Sequence, residues 1–207
     1  MENGKIFELL EMLGEELSDL INNGSFSIDE DRSIIEVNGA EYMVLTDEEA
    51  DESFYNYEME LLEDLGIEGL SDSFKSWVYN NAIDSDYFEE CIRETYEDYA
   101  DDIEYEESYS DFENRLQEEM NDWGANDKEE FIDKLTESAI DEYGGAIHYC
   151  IDNYGEEWFN RVLRNNSYLI DYDSIIEEIE RWDGRGIIAT YDFEEKETDN
   201  YYVYRIN

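Results

Sequence analysis

The sequence has no proline, little positive charge and few of the residues that usually carry out catalysis. Thirteen Lys and Arg residues stand against 60 Asp and Glu, which gives a formal net charge of −47 over 207 residues. DNA and RNA binders neutralise phosphates with clustered Lys and Arg, so this balance excludes direct nucleic-acid binding and argues against anionic membranes. No apolar run reaches about 18 residues, the minimum for a transmembrane helix. The acidic N-terminal stretch is unlike a signal peptide, and we expect a cytoplasmic protein.

Cysteine and histidine are too few to suggest catalytic chemistry. The two cysteines, Cys91 and Cys150, make no disulfide framework, and we expect two reduced thiols. His148, the one histidine, stands two residues before Cys150, a spacing that shares a face only in a strand. The sequence contains no phosphate-binding glycine loop, no dinucleotide-binding fingerprint and no HExxH zinc motif. We therefore predict that the chain is not an enzyme and uses no cofactor.

Some acidic segments begin like calcium-binding loops. Three of them, which start at Asp29, Asp84 and Asp171, open with the alternating carboxylates of an EF-hand loop. None has the glycine that the sixth loop position requires, so we predict no dedicated metal site. A carboxylate pair for glycoside hydrolysis stays open, because a chain with 60 acids brings such pairs together by chance.

Apolar and aromatic residues are frequent enough to build a core. They make up 41% and 15% of the chain, and they are interleaved with the acids, which indicates a folded protein. Asn38-Gly39 joins two β-rich runs, residues 33–37 and 41–45, as a tight hairpin. Residues 186–191 and 201–206 predict a second hairpin with a longer connection. Because a two-stranded ribbon alone is marginal, we expect both hairpins to meet in one sheet.

The rest of the chain is predicted to be helical. Apolar residues from Ile6 to Leu20 recur at helical spacing, and Thr46 with Glu49 predicts a capping box at the next helix. That helix is expected to bury Ala50, Phe54, Tyr57, Leu61 and Leu65. We predict an α+β fold, mostly helical, with a small antiparallel sheet from the N-terminal and C-terminal β-hairpins. The expected single domain, 1–207, comprises a helix plus hairpin (1–45), an acidic helical region (46–165) and a helix plus C-terminal hairpin (166–207).

The acids are densest between Asp84 and Glu113, where fourteen of them face one base, Arg93. Five of them are spaced by four, three, four and three residues, which places them in one stripe on a helix, flanked by Asp98 and Asp102. The stripe consists of Glu90, Glu94, Glu97, Asp101 and Glu104. The packing face is expected to hold Phe88, Ile92, Thr95, Tyr99 and Ile103. Like charges at this spacing destabilise a helix by roughly 0.2–0.5 kcal/mol per pair, so the stripe favours a functional surface over the alternative, a solvated helix face in an acidic protein.

The charge density of this run is close to that of one DNA strand. Thirty helical residues extend about 45 Å, so their thirteen net charges give one per roughly 3.5 Å, against one phosphate per about 3.4 Å of a DNA strand. The predicted partner-binding carboxylates are Asp84, Asp86, Glu89, Glu90, Glu94, Glu97, Asp98, Asp101, Asp102, Glu104, Glu106, Glu107, Asp111 and Glu113. A second set, at the start of the acidic helix over 47–64, consists of Asp47, Glu48, Asp51 and Glu52.

The two acidic helices, residues 84–113 and 47–64, resemble the acidic DNA-mimic proteins of phages and mobile elements. That class includes the Ocr and ArdA antirestriction proteins and several acidic anti-CRISPR proteins, and the resemblance lies in charge pattern rather than an aligned motif. Segments 41–52 and 191–207 also resemble uncharacterised phage-encoded proteins. The resemblance implies an inhibitor that occupies the DNA-binding surface of a restriction-modification or Cas complex, in the host cell cytoplasm if a phage encodes it.

Two other functions fit the same composition. An acidic chaperone or sponge for basic proteins would also use an anionic surface, with less dependence on its shape. A haloadapted protein of unrelated function would carry acids for solubility, although 20 Ile against 8 Ala is not the bias toward small apolar residues expected of one. A homodimer would lengthen the charge array, and the sequence leaves that state open. Under every one of these interpretations, we expect salt to stabilise the fold.

Overall fold

The computed structural model describes residues 3–29, 33–107 and 114–207. Ten α-helices and five β-strands lie within these ranges, which confirms the predicted mostly helical α+β fold. The chain packs as two compact units, unit 1 (Met1–Gly66 with Tyr172–Asn207) and unit 2 (Ile67–Asp171). The expectation of a single domain stays a prediction. Among the described helices, none has both the length and the apolar character that a membrane span needs.

The elements follow one another with short connections. The first half of the chain contains α1 (Asn3–Leu13), α2 (Leu17–Asn23), β1 (Phe26–Asp29), β2 (Ile34–Val37), β3 (Ala40–Leu45), α3 (Asp47–Leu65), α4 (Asp72–Asn81) and α5 (Asp86–Glu107). The second half contains α6 (Arg115–Asp122), α7 (Lys128–Tyr143), α8 (Ala146–Tyr154), α9 (Glu156–Asn165), α10 (Tyr172–Asp183), β4 (Glu195–Glu197) and β5 (Tyr202–Arg205). A 3₁₀ turn, Arg185–Ile188, lies between α10 and β4.

The five strands form one antiparallel sheet in unit 1, with the order β1-β2-β3-β5-β4. Val37 pairs with Ala40 across the turn, and Asn38 and Gly39 both have positive φ, 54° and 82°, as a tight hairpin turn requires. Strand β3 pairs with β5, which joins the N-terminal and C-terminal hairpins in one sheet as predicted. One sheet face packs on α1 and α2 through Leu9, Leu10, Leu20, Ile35, Val37, Val44 and Val203.

Two predicted elements of unit 1 are wrong. The strand over 186–191 is absent, since Arg185–Ile188 forms a 3₁₀ turn and Glu195–Glu197 pairs with β5 instead. A Cβ on Gly186 would lie 2.5 Å from the Phe193 carbonyl oxygen, so the turn packs closely against the chain that leads into β4. The predicted continuous helix from Ile6 to Leu20 divides into α1 and α2, because Gly14 adopts a left-handed conformation with φ 72°.

Helix α3 begins as predicted and packs through a shifted face. Thr46 and Glu49 form the capping box, with the Glu49 carboxylate accepting from the Thr46 N–H at 2.8 Å. The predicted buried residues Tyr57 and Leu65 are 36% and 60% exposed. The buried stripe runs instead through Ala50, Phe54, Glu58 and Leu62, at a spacing of four. The shift places a carboxylate, Glu58, inside the protein at 5% exposure.

Helix α5 is the centre of unit 2 and contacts α6, α7 and α8. A core cluster between these helices contains Ala100, Met120, Ala125, Phe131 and Ile132. Helix α7 begins at its N-cap residue Asp127, whose carboxylate accepts the Glu130 N–H at 2.9 Å. The N–H and the side chain of Asn126 both donate to the Glu130 carboxylate, which also pairs with Lys134. These bonds, the backbone one first, lower the pKa of Glu130 to about 2, so this carboxylate is charged at any physiological pH.

Candidate functional site

Helix α5 packs through one side and leaves the other open to solvent. Its buried side consists of Phe88, Ile92, Ala100 and Ile103, each at most 2% exposed. The predicted packing residues Thr95 and Tyr99 are exposed, which corrects that part of the predicted face. Tyr99 donates from its hydroxyl to the Glu119 carboxylate of α6 at 2.7 Å, while Ala100 takes the place in the core. Four of the five predicted stripe carboxylates are exposed, and the fifth, Glu97, is half-buried.

Asp84 precedes α5 and orders its first turn. Its carboxylate accepts the backbone N–H of Asp86 at 3.0 Å, and its own N–H donates to the Leu169 carbonyl oxygen at 2.9 Å. A negative charge here also lies at the positive end of the helix dipole. Asp84 is exposed, as predicted, and it has this local structural role as well.

Two bases neutralise three of the five predicted stripe carboxylates. Arg93 bonds to Glu97 on its own helix and to Asp133 of α7, with 3.4 Å between Arg93 Nε and Asp133 Oδ1. Lys128, the first residue of α7, pairs with Asp101 and Glu104 of α5, the latter at 2.8 Å. Arg93, in the first half of α5, reaches Asp133 inside α7, whereas Lys128, at the start of α7, meets the last turns of α5. The two helices therefore run antiparallel. Glu97, Asp101 and Glu104 are therefore paired with bases of this chain, and their role in binding a partner stays a prediction.

The pKa shifts of the two bases follow from these contacts. Hydrogen bonds to Asp101 and then Glu104 raise the pKa of Lys128, although partial burial opposes them. The pKa of Arg93 is also raised. Burial by itself would lower it, but the charges of Glu97 and Asp133 have the larger effect. Both bases are thus fully charged wherever the carboxylates are.

A different row of carboxylates remains open along α5. Asp86, Glu90, Glu94, Asp98 and Asp102 follow one another at a spacing of four residues. All five are exposed, and none makes an ion pair with any residue that the structure describes. Glu89, one residue before Glu90, is exposed in the same way. All of these residues are among the predicted partner-binding carboxylates, but only Glu90 and Glu94 belong to the predicted stripe.

Helix α7 adds a second acidic row, which the sequence analysis missed. Glu129, Asp133, Glu137 and Asp141 are exposed and also spaced by four, and Asp133 is the one that Arg93 contacts. The spacing of four residues in the sequence is the signal that could have predicted this row. The exposed acids of the two helices that lack an ion pair within the described ranges are called the α5–α7 carboxylate surface. It consists of Asp86, Glu89, Glu90, Glu94, Asp98, Asp102, Glu129, Glu137, Asp141 and Glu142.

The second predicted set, at the start of α3, is half neutralised. Arg185, in the 3₁₀ turn, donates to Asp47 at 2.8 Å and to Asp51 at 2.5 Å. Glu48 and Glu52 are exposed and have no ion pair in the part of the chain that the structure describes. Asp47 and Asp51 are thus paired with a base that lies 138 and 134 residues away in the sequence, and their role as phosphate-mimicking carboxylates stays a prediction.

Four predicted site residues lie wholly or partly outside the described part of the chain. Asp111 and Glu113 lie outside the described residues. Glu106 and Glu107 belong to the last turn of α5, and their side chains also lie outside the described part of the structure.

The thiols and the histidine do not come together as a reactive group. Residues 146–154 form helix α8, so His148 and Cys150 lie on different sides of it. Cys150 is buried, its Sγ lies 3.9 Å from the Phe88 carbonyl oxygen, and burial raises the pKa of its thiol to about 12. Burial also raises the pKa of Cys91, so neither thiol is a ready nucleophile at neutral pH.

The described residues contain no group of three or more His, Cys, Asp and Glu side chains placed to hold a metal ion. What the arrangement offers is a dense array of hydrogen-bond acceptors and negative charge on packed helices. Such an array suits recognition of a basic surface. Comparisons with protein-family models, with curated proteins and with solved structures give no match to this chain.

Proposed function

We propose that the chain is an acidic DNA-mimic protein that inhibits a host defence protein, a restriction or CRISPR effector, by occupying its DNA-binding surface. The observation that carries the proposal is the α5–α7 carboxylate surface, which stays exposed and free of ion pairs among the described residues although bases lie nearby. The resemblance in charge pattern to antirestriction and anti-CRISPR proteins indicates the class of target. The chain would act by binding, in the host cytoplasm, without touching nucleic acid or membrane.

The spacing of the carboxylates determines how much DNA the surface can replace. Four residues advance a helix by about 6 Å, so the row from Asp86 to Asp102 spans about 24 Å. One DNA strand has about seven phosphates over that distance, and a duplex has about fourteen. The six free acids of α5 alone nearly match one strand. Together with those of α7, the surface has a charge density between that of one strand and that of a duplex.

The positions of the bases support the same proposal. Arg93 and Lys128 both contact carboxylates of the neighbouring helix, so the scarce positive charge serves to join α5 to α7. Among the described residues, no Lys or Arg forms an ion pair with the acids of the α5–α7 carboxylate surface, and the repulsion between these acids costs stability. A basic DNA-binding channel would supply the missing cations and release counterions, and the long-range attraction would speed association.

The carboxylates of such a mimic act together, so no single one is essential. We expect Glu97→Gln to weaken inhibition only slightly, since Arg93 already neutralises Glu97. Neutralising four outer acids at once should abolish it. If Glu97→Gln alone removed all activity, the distributed mechanism would be wrong.

The experiment that tests the proposal is a pull-down from a bacterial lysate, washed at about 150 mM salt and eluted with duplex DNA. The test variant carries Glu90→Gln, Glu94→Gln, Asp98→Asn and Asp102→Asn. The matched control carries Glu11→Gln, Glu16→Gln, Asp19→Asn and Asp64→Asn, four exposed acids of unit 1. Both variants lose two Glu and two Asp, so they have the same net charge.

We expect the unmodified chain and the control to capture one DNA-binding complex that duplex DNA releases, and the α5 variant to lose it. Equal capture by both variants would show that net charge alone suffices, as for a sponge of basic proteins. A mixture of basic proteins that DNA does not displace would give the same conclusion. No capture at about 150 mM salt, with folding only at molar KCl, would favour a haloadapted protein.

A further inference from the structure

A groove between α3 and α10 lies entirely within unit 1 and shares no residue with the α5–α7 carboxylate surface. It encloses about 490 Å³. Its floor is apolar and is formed by Phe54, which is 1% exposed, and Ile176, which is 4% exposed. Carboxylates surround the floor on both helices, among them Glu52, Glu177 and Glu180. No Lys or Arg is among the described residues that line it.

Tyr55 forms a fixed aromatic wall of this groove. Its hydroxyl donates to Asp173 Oδ1 at 2.8 Å, so the side chain links α3 to α10. This hydrogen bond raises the pKa of Tyr55, and the residue is still 39% exposed. The ring is therefore held in place while it remains accessible from the groove.

Unit 1 stacks two of its own arginines on tyrosine rings, and at one of them carboxylates complete the contact. Arg185 lies over the ring of Tyr202, 4.4 Å from its centroid, and bonds to carboxylates that include Asp51. Arg205 lies over the ring of Tyr191, 3.8 Å from its centroid. Asp51 also lines the groove, so the groove adjoins one of these arginine sites. At Arg185, a tyrosine ring beside carboxylates is thus an arginine-binding arrangement that this fold already uses.

We propose that the α3–α10 groove binds an arginine side chain of a partner protein. The aliphatic stem would lie on Phe54 and Ile176, and the guanidinium would stack on Tyr55. The carboxylates of Glu177 and Glu180 would accept its N–H groups. Lysine fits less well, because its ammonium group is compact and strongly hydrated and cannot stack as a planar guanidinium does. The site goes beyond DNA mimicry, since it selects one side chain by shape and stacking and not by charge density alone.

The test is a titration of the full-length, ¹⁵N-labelled chain with N-acetyl-arginine methylamide, followed by NMR at about 150 mM NaCl to screen non-specific attraction. N-acetyl-lysine methylamide is the matched probe. We expect the arginine probe to shift the amides of residues 51–55 and 173–180 most, and the lysine probe to bind several-fold more weakly.

Two variants with equal charge separate the groove from general acidity. Glu177→Gln with Glu180→Gln should weaken binding of the arginine probe about tenfold, as expected for the loss of charged hydrogen bonds. Glu137→Gln with Glu142→Gln, on the α5–α7 carboxylate surface, should leave it unchanged. Tyr55→Leu should remove the preference for arginine over lysine.

Shifts spread equally over α5, α7 and the groove would overturn the proposal, as would equal weakening by both pairs of substitutions. If Tyr55→Leu fails to fold, the two carboxylate pairs still decide the outcome. No DNA and no defence protein enter this test, so its failure and the failure of the proposed function are separate results.

Discussion

Arg185 Nη1 donates to Asp47 Oδ1 at 2.8 Å, which ties the 3₁₀ turn after α10 to the first turn of α3. The same guanidinium contacts Asp51 and, at 3.1 Å, Glu195. Burial alone would lower the pKa of Arg185, but its hydrogen bonds to these three carboxylates raise it, so the side chain stays charged. The Arg185 side chain is only 10% exposed, so one nearly buried cation balances three acids.

Replacing Arg185 should therefore destabilise unit 1 more than any exposed base does. Arg185→Met keeps the apolar stem and leaves three carboxylates facing one another. Removing one partner of a buried ion pair costs about 3–5 kcal/mol of stability. Because Asp47 and Asp51 are exposed, we expect Arg185→Met to cost about 2 kcal/mol. Urea denaturation measures it. Arg181→Met is the control, since the Arg181 side chain is 68% exposed and should cost less than about 0.5 kcal/mol. Equal losses for both variants would contradict a central role for Arg185.

The buried carboxyl group of Glu58 should make the stability of the fold decrease as the pH rises, the opposite of what a salt-bridged acid does. Burial and then the nearby charge of Asp183 raise the pKa of Glu58 above its ordinary value of 4.5. Below that value both folded and unfolded states hold the proton. As pH rises, the unfolded state ionises first, so the fold loses stability until the pH passes the raised pKa.

Glu58→Gln should remove this loss, because the amide copies the protonated acid. We expect the variant to melt near the same temperature as the unmodified chain at about pH 4 and at a higher temperature at pH 7. Glu60→Gln, an exposed change on the same helix, controls for the smaller net charge. A difference between Glu58→Gln and Glu60→Gln that does not vary with pH would show that Glu58 is ionised normally in the folded protein.

Salt should stabilise the fold, and the α5–α7 carboxylate surface should account for a measurable part of the effect. The Debye length falls from about 30 Å at 0.01 M to about 10 Å at 0.1 M, so added NaCl screens the repulsion between rows. We expect the melting temperature to rise between about 10 and 300 mM NaCl, and to rise less for the fourfold α5 variant than for its matched control. A flat melting temperature would contradict a clustered anionic surface.

The sequence predicts correctly the turn and the helix start that depend only on neighbouring residues. Asn38-Gly39 sets its own turn through two positive φ angles, and the Thr46–Glu49 capping box closes within one helical turn. The strand expected over 186–191 failed for the opposite reason. Its apolar pattern fits a strand, but Arg185 is held by acids of α3, and the edge of the sheet is taken by Glu195–Glu197.

The candidate site shows the same division. The sequence predicts that one side of α5 is acidic, because helical spacing needs only local information. The Arg93–Glu97 pair, four residues apart on one helix, is predictable in the same way. The ion pairs of Asp101 and Glu104 with Lys128 are not predictable from local spacing. Lys128 lies 24 to 27 residues away in the sequence and meets these acids only when α7 packs on α5. Which carboxylates stay free is thus a property of tertiary packing.

The contact between Lys128 and Glu104 can be measured by a double-mutant cycle. Lys128→Gln, Glu104→Gln and the double variant give a coupling free energy from their thermal or urea unfolding. Because both side chains are partly exposed, at 31% and 64%, we expect about 0.2–1 kcal/mol at low salt and less at about 1 M NaCl. Lys196 and Glu194, 3.8 Å apart and more exposed, form the control pair, for which we expect a coupling near zero. If the Lys128 cycle also gave zero coupling, the base would not join α5 to α7, and Asp101 and Glu104 would be as available to a partner as Glu90 and Glu94.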